Sequence, residues 1–502
     1  MGSLKKLASD TVIYGVSTIM VRLLNYLLVP IYTGYLDSAD MYGEVGNLYA
    51  YAAFFVVLYT FGQETAYFRF ANKEKDRAKE IYASSLSSVA LFSLICSALI
   101  CVFAGPIMVA VDLPGQEHYA YLFASIFAID AVMSIPLAKL RLENKALRFT
   151  FIKVFQVLLT LGLNILFVIV FRKVYDGEFW ITGQDWVRSW YDPTDLVKYI
   201  VAINLVANGI CFFLIIDQFR GVKFRISREF FRPMLSYGYP LLFNGLAGML
   251  ISQHTIIILL RKFLPEGFYG NQSVEETVGI FTACAKLAIF MNLGVMAFRY
   301  ASEPFFFAKA QDRTSPKLFA DVARYFMIFG SLVMLGISSN LDILGPMFLK
   351  KDIYLQGLDV VPVLLLANLM LGFYYNLSIW FKLTDKTKYG VYISAGGAVL
   401  SFGLNIILIP KFGYMGAASG NVAVYALMCA TNYWLGQKHY PIPYNLFALV
   451  AYPLVALALV PVMKAIEHDS LILQKAMQAG VLLLFMAVIY FIEKPKSKAK
   501  IR

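Results

Sequence analysis

The chain has 502 residues, 59% of them hydrophobic and 15% charged, whereas ordinary soluble domains carry about 25% charged residues. At a mean hydropathy of +0.65 it holds more apolar surface than a water-soluble core can use, which excludes a soluble globular protein and names lipid as its main solvent. The net charge of +12 would suit a nucleic-acid binder, but it falls between apolar stretches and reads as membrane topology.

The opening, MGSLKKLASD, sets two lysines ahead of an apolar stretch that runs through Leu36 without a small-residue cleavage site. It is therefore read as a retained first span and not a signal peptide. A spanning helix needs roughly 20 apolar residues. By that measure the chain holds about fourteen: 11–36, 42–66, 81–111, 119–138, 151–171, 199–219, 235–260, 278–300, 325–345, 359–381, 390–410, 413–435, 445–463 and 473–492. An even number puts both termini on one side. That side carries 30 Lys and Arg against 11 on the other, counting Lys153 and Lys475 near span ends with the adjoining loops, and Arg22, Lys286 and Arg299 are left inside spans. The positive-inside rule makes both termini cytoplasmic, with anionic lipid headgroups beside the basic loops. The expected location is the cell's inner, cytoplasmic membrane, and nothing supports nucleic acid as a partner. The longest outer loop, 172–198, contains DGEFWITGQDWVRSWYDP, whose three tryptophans suit an interfacial cap. All five cysteines lie in apolar stretches, and the four histidines are scattered, so no metal or disulfide pattern appears.

The chain also repeats itself. LYTFGQETAYFRFANKEKDR (58–77) is echoed by GVMAFRYASEPFFFAKAQDR (294–313), 236 residues later. IYGVS (13–17) and SYGYP (236–240) open spans one and seven at an offset of 223. LTLGLNIL (159–166) and LSFGLNII (400–407) match at 241, as do the basic loops RLENKALRF and KLTDKTKYG before them. The expected architecture is an all-α membrane protein of two six-helix lobes, 1–220 and 221–437, followed by two extra helices and a basic tail in 438–502. Six spans per unit give both copies the same orientation, so a pseudo-twofold axis runs along the membrane normal and a binding site is expected near the midplane between lobes.

Charges inside spans mark candidate functional positions, because each costs about 2.5–3.5 kcal/mol to insert and must face protein or water. Arg22 lies about 16 Å into span one, Asp130 at a similar depth in span four, and Lys286 about 13 Å from the outer end of span eight. Two bases and one acid at the midplane describe a chamber for an anion. The structural alternative is an Arg22–Asp130 pair tying spans one and four. Glu64, Arg69, Arg299 and Glu303 fall at the cytoplasmic boundary, where gating, headgroup contacts and snorkelling are all open. Asn164 and Asn405, the repeated asparagines, suit interhelical hydrogen bonds. Pro30, Pro136, Pro240, Pro362 and Pro453 predict bends within spans.

NYLLVPIYTGYLDSADMYGEVG (25–46), FGQETAYFRF (61–70), GIFTACAKLAIFMNLGVMAFRYASEPFFF (279–307) and GLNIILIPKFGYMGAASGN (403–421) resemble the polysaccharide-biosynthesis flippase family, of the O-antigen or capsule type. That family sits in the superfamily of lipid II flippases and multidrug exporters. The resemblance implies alternating-access export of a polyprenyl-diphosphate-linked oligosaccharide, with polysaccharide assembly enzymes as partners of a monomeric transporter. It makes Arg22, Asn25, Lys286 and Arg299 candidate substrate contacts. Asp130, Glu64 and Glu303 become candidates for coupling to Na+ or H+, with no other cofactor implied. A cation-coupled multidrug or metabolite antiporter of the same fold is the alternative. An enzyme would need an outer domain or paired catalytic groups, and the sequence presents neither.

Overall fold

A computed structural model describes residues 20–143, 145–309, 315–384, 386–466 and 468–494, without the side chains of 181, 300, 301, 303, 304 and 307–309. Every regular element among them is helical. Lipid offers the backbone no hydrogen-bond partners, and a helix satisfies its own.

The first expected span is described only from residue 20, through helical residues 20–26 and α1 (Leu28–Tyr35). Span two comprises α2 (Ala39–Thr60), whose first turn is capped by the Ser38 hydroxyl, and α3 (Gln63–Lys73) beyond a left-handed break at Phe61 and Gly62. Then follow α4 (Ala78–Val102), α5 (Glu117–Leu142), α6 (Ala146–Asn164), α7 (Leu196–Phe213), α8 (Arg228–Ile251) and α9 (Gln253–Phe263). Span eight is a second broken span: α10 (Val274–Leu287) and α11 (Ile289–Lys309) meet at a 43° bend. The remaining spans are α12 (Ser315–Ser338), α13 (Val361–Leu377), α14 (Lys388–His439), α15 (Leu446–Lys464) and α16 (Leu471–Glu493).

By length and apolarity, the described residues hold 11 helices able to cross a membrane, or 12 with the bent pair taken as one span. That is fewer than the fourteen expected, for two identifiable reasons. Part of span one lies outside the described residues. Also, α14 takes in two expected spans: its 52 residues would measure about 78 Å if straight, far more than one bilayer core. Gly413 interrupts it with φ 57° and ψ −141°, a conformation open mainly to glycine.

The helices gather into two compact units. Among the described residues, the first holds those of 20–283 with 349–354 and 401–413; the second holds those of 284–309, 315–348, 355–400 and 414–494. In the first, α5 packs against α4 and α7, and Met133, Leu137, Leu140, Ile152, Cys211 and Ile215 form a core where α5, α6 and the end of α7 meet. In the second, α12 packs against α13 and α15. The last helix is pinned there at both ends, by Arg324–Glu493 at 3.0 Å and Lys475–Asp342 at 2.6 Å. These packing units do not follow the repeat boundary at residue 220, since kinship in sequence and packing in space are separate properties.

The repeat has an atomic counterpart inside the first unit. Gly279 follows Gly43 by 236 residues, the offset of the repeated passage, and the two glycines face each other. A Cβ on Gly43 would collide with the Glu275 carbonyl oxygen, and one on Gly279 with that of Ala39; Glu275 is itself the 236-residue image of Ala39. The next pair along, Gly46 against Thr282, keeps the same offset. A contact in which each residue meets its own image is the signature of a twofold axis. The GLN repeats behave alike as well. Buried Asn164 donates to the Thr160 carbonyl at 2.8 Å, and buried Asn405 to the Ser401 carbonyl at 2.7 Å. Asn164 also takes the interhelical bond anticipated for it, from the Tyr32 hydroxyl at 2.9 Å.

Candidate functional site

Within the first unit, α2, α3, α5 and α6 enclose a cavity of about 390 Å³. Along α5, Asp130, Ser134, Leu137 and Arg141 recur every three or four residues, which turns all four to this cavity. From α6 come Lys153 and Gln156, and from α3 comes Glu64. Two of the expected ion-coupling residues, Asp130 and Glu64, thus share one chamber with two bases.

A chain of polar contacts runs through it. Lys153 Nζ donates to Gln156 Oε1 at 3.2 Å, Gln156 Nε2 to Asn208 Oδ1 at 2.5 Å, and Asn208 Nδ2 to Asp130 Oδ1 at 2.8 Å. The Asp130 carboxylate is therefore oriented by an amide on α7. Among the described residues it makes no ion pair with Arg22, so the tie between spans one and four is not formed. At one end of the cavity Glu64 pairs with Arg141, whose guanidinium lies 4.9 Å from the Phe68 ring centre and 5.2 Å from that of Phe149. The formal charges balance, two against two. Among the described residues no three of His, Cys, Asp and Glu come together where a metal ion could be held.

Lys153, Gln156 and Asn208 escaped the sequence reading. The signal was present: Lys153, Gln156, Thr160 and Asn164 form a polar stripe at spacings of three and four along α6. Lys153 is counted with the bases of the loop before it, although it stands inside the expected span 151–171 and on α6.

The expected substrate contacts lie elsewhere. Arg22 and Asn25 stand three residues apart on helical residues 20–26, both exposed, in the first unit. Lys286 belongs to the second unit, and it too is exposed although Cys284, Ala285, Leu287 and Ala288 around it are buried. Among the described residues neither Arg22 nor Lys286 makes an ion pair. Lys286 stands two residues before the bend between α10 and α11, where the Ala288 carbonyl accepts from Asn368 Nδ2 at 3.2 Å. The N-terminal turn of α11 starts just beyond, so a base and the positive end of a half-helix adjoin. Arg299 is exposed, with its guanidinium 4.7 Å above the Tyr375 ring. Glu303 is on α11, its side chain outside the described residues.

The family model described as "Polysaccharide biosynthesis protein" matches residues 7–308. Among solved structures, the chain is similar to the lipid II flippase MurJ in an inward closed conformation. That match has a TM-score of 0.68 at 12% identity, over 95% of this chain and 99% of MurJ. It is also similar to a multidrug resistance MATE family transporter of the MOP superfamily. The inward-facing form scores 0.61 at 15% identity, covering 84% of this chain and 97% of the transporter. The outward-facing form scores 0.55 at 15% identity, with 86% and 95% covered. No curated protein matches the sequence. The structural likenesses extend over nearly the whole chain and give it the all-helical, multi-pass fold of these transporters. With more than half of its length under one family model, the chain belongs to the polysaccharide biosynthesis protein family.

Proposed function

We propose that the protein is a flippase that carries a polyprenyl-diphosphate-linked oligosaccharide from the cytoplasmic to the outer leaflet by alternating access. The observation that carries this reading is Lys286: a base at membrane depth, exposed and without an ion-pair partner among the described residues, beside the start of a half-helix. An uncompensated charge there costs free energy unless a mobile anion visits it. Arg22 and Asn25 supply a second polar patch on span one, and Arg299 a third base toward the cytoplasm. Together these residues offset the diphosphate while the sugars cross in water and the lipid tail stays in the bilayer.

The inside-negative membrane potential drives an anion outward by about 2.3 kcal/mol per charge per 100 mV. Return of the empty carrier is the step that calls for a coupled ion. The cavity holding Asp130 and Glu64 is the place for it, with H+ or Na+ neutralising Asp130 and loosening its link through Asn208 to α7. Glu303 completes the set on the cytoplasmic side. Both termini lie in the cytoplasm, and the transporter works as a monomer beside polysaccharide assembly enzymes. A multidrug antiporter of the same fold would favour a negative chamber for cationic cargo, which the exposed bases oppose.

The test is transport in proteoliposomes of a fluorescent short-chain polyprenyl-diphosphate sugar. Arg22→Ala and Lys286→Ala should each slow translocation about tenfold or more, the loss of roughly one charge-assisted contact. Wild-type rates in both variants would refute the role of these bases.

A further inference from the structure

A second concavity, about 820 Å³ and larger than the polar cavity, opens where three basic loops of the first unit meet: those after α3, after α5 and after α7. It falls in the size range of pockets for small organic ligands, about 300–1,000 Å³. Lys75, Lys79, Lys139, Arg220 and Lys223 line it, against Asp76, Glu80 and Glu143. The acids are largely spoken for. Glu80 is bonded to Arg77 at 2.8 Å, and Glu143 to Lys145 at 2.7 Å and Lys139 at 3.8 Å. Among the described residues Lys75, Lys79, Arg220 and Lys223 form no ion pair, and Asp76 is the one lining acid without one. The first turn of α4, a 25-residue helix whose N-cap residue, Arg77, gives its backbone N–H groups no side-chain acceptor, adds its positive end through Ala78 and Lys79.

Membrane topology asks only for basic residues on this side; it does not ask for a walled site. The wall here is built. Asp217 takes two bonds from Arg148, one of them at 2.8 Å, and the Tyr82 hydroxyl donates to the Gln218 carbonyl at 3.1 Å. Gln218 itself is 6% exposed. Its Nε2 is fixed on the Asp217 carboxylate at 2.6 Å, which leaves Oε1 as a buried acceptor without a donor among the described residues. An unfilled acceptor inside a ring of unpaired bases calls for one ligand that brings both negative charge and a hydroxyl.

We propose that this concavity binds a polyhydroxylated phosphate or diphosphate ester on the cytoplasmic face, with Arg220 and Lys223 on the phosphate and Gln218 Oε1 accepting from a hydroxyl. A soluble sugar diphosphate and the glycerol headgroup of an acidic phospholipid share that chemistry. The site stands apart from the bases assigned to transport, so its test does not depend on what the chain carries.

The full chain in phosphatidylcholine nanodiscs is titrated with UDP-N-acetylglucosamine, with inorganic pyrophosphate, and, by native mass spectrometry, with phosphatidylglycerol. The Arg220→Gln/Lys223→Gln double variant should weaken the bound probes about tenfold or more. A Lys386→Gln/Lys388→Gln pair, the same charge change on another loop, should not. Gln218→Leu should weaken UDP-N-acetylglucosamine or phosphatidylglycerol while leaving pyrophosphate unchanged. Saturable binding of the nucleotide sugar supports the site with a soluble ligand, and retention of phosphatidylglycerol alone supports it with a lipid one. No binding of either probe, or equal losses in both double variants, overturns the proposal.

Discussion

At the scale of single residues, the side chains divide by whether their charge is answered. Lys286 and Arg22 are not answered by described acids, whereas Asp130 is held by Asn208 and Glu64 by Arg141. If Asp130 carries the coupling ion, Asp130→Asn should flatten the dependence of transport on external pH or Na+ while substrate binding persists; an unchanged profile would remove Asp130 from coupling. Lys286→Arg should retain most of the rate that Lys286→Glu loses. The pair between Arg148, in the first turn of α6, and Asp217, beyond the end of α7, makes a pH prediction. Its hydrogen bonds from Arg148 hold the Asp217 carboxyl down at about 2, below the usual carboxylate value. A depressed folded pKa gives stability that is present above about pH 4 and lost as pH falls toward 2. Both partners are more than a third exposed, so solvent screening limits the effect. Arg148→Ala should therefore lower the melting temperature modestly at pH 7, by an amount that shrinks as the buffer is taken below pH 4.

At the scale of elements, the breaks matter more than the helices. The spans were legible because about 20 apolar residues in a row leave few other options. The bend at Ala288 was not, since TACAKLAIF contains neither proline nor glycine, and the side chain that bonds its carbonyl, Asn368, is 80 residues away. Asn368→Leu should cost about 0.5–1.5 kcal/mol by removing that buried hydrogen bond, read as a drop in thermal stability in detergent. The Gly43–Gly279 crossing was half legible. The offset of 236 announced two copies, but periodicity cannot say that the copies touch at their own images. Ala at either position should force α2 and α10 apart, because the obstacle is a backbone carbonyl and not a movable side chain. The expected loss is about 1–3 kcal/mol, with weaker disulfide trapping of cysteines placed at Ala39 and Glu275. Unchanged trapping would show that the crossing tolerates a methyl group.

At the scale of the whole molecule, composition alone named the solvent, and the multi-pass helical fold agrees with it. What composition cannot supply is pairing in space. The residues of the polar cavity come from four helices between residues 56 and 156, and Asn208 from a fifth. For the transport cycle, a diphosphate cargo makes the export stroke voltage-dependent. Clamping vesicles at 100 mV inside-negative should speed translocation if charge movement limits the rate, since each charge crossing gains about 2.3 kcal/mol. A rate indifferent to voltage would leave the limiting step in the ion-driven return.

The glycine pair has one more implication. With no side chain between them, spans two and eight meet at Gly43 and Gly279 backbone against backbone, so this crossing is set by main-chain atoms and leaves no side-chain rotamer to absorb a change in their spacing.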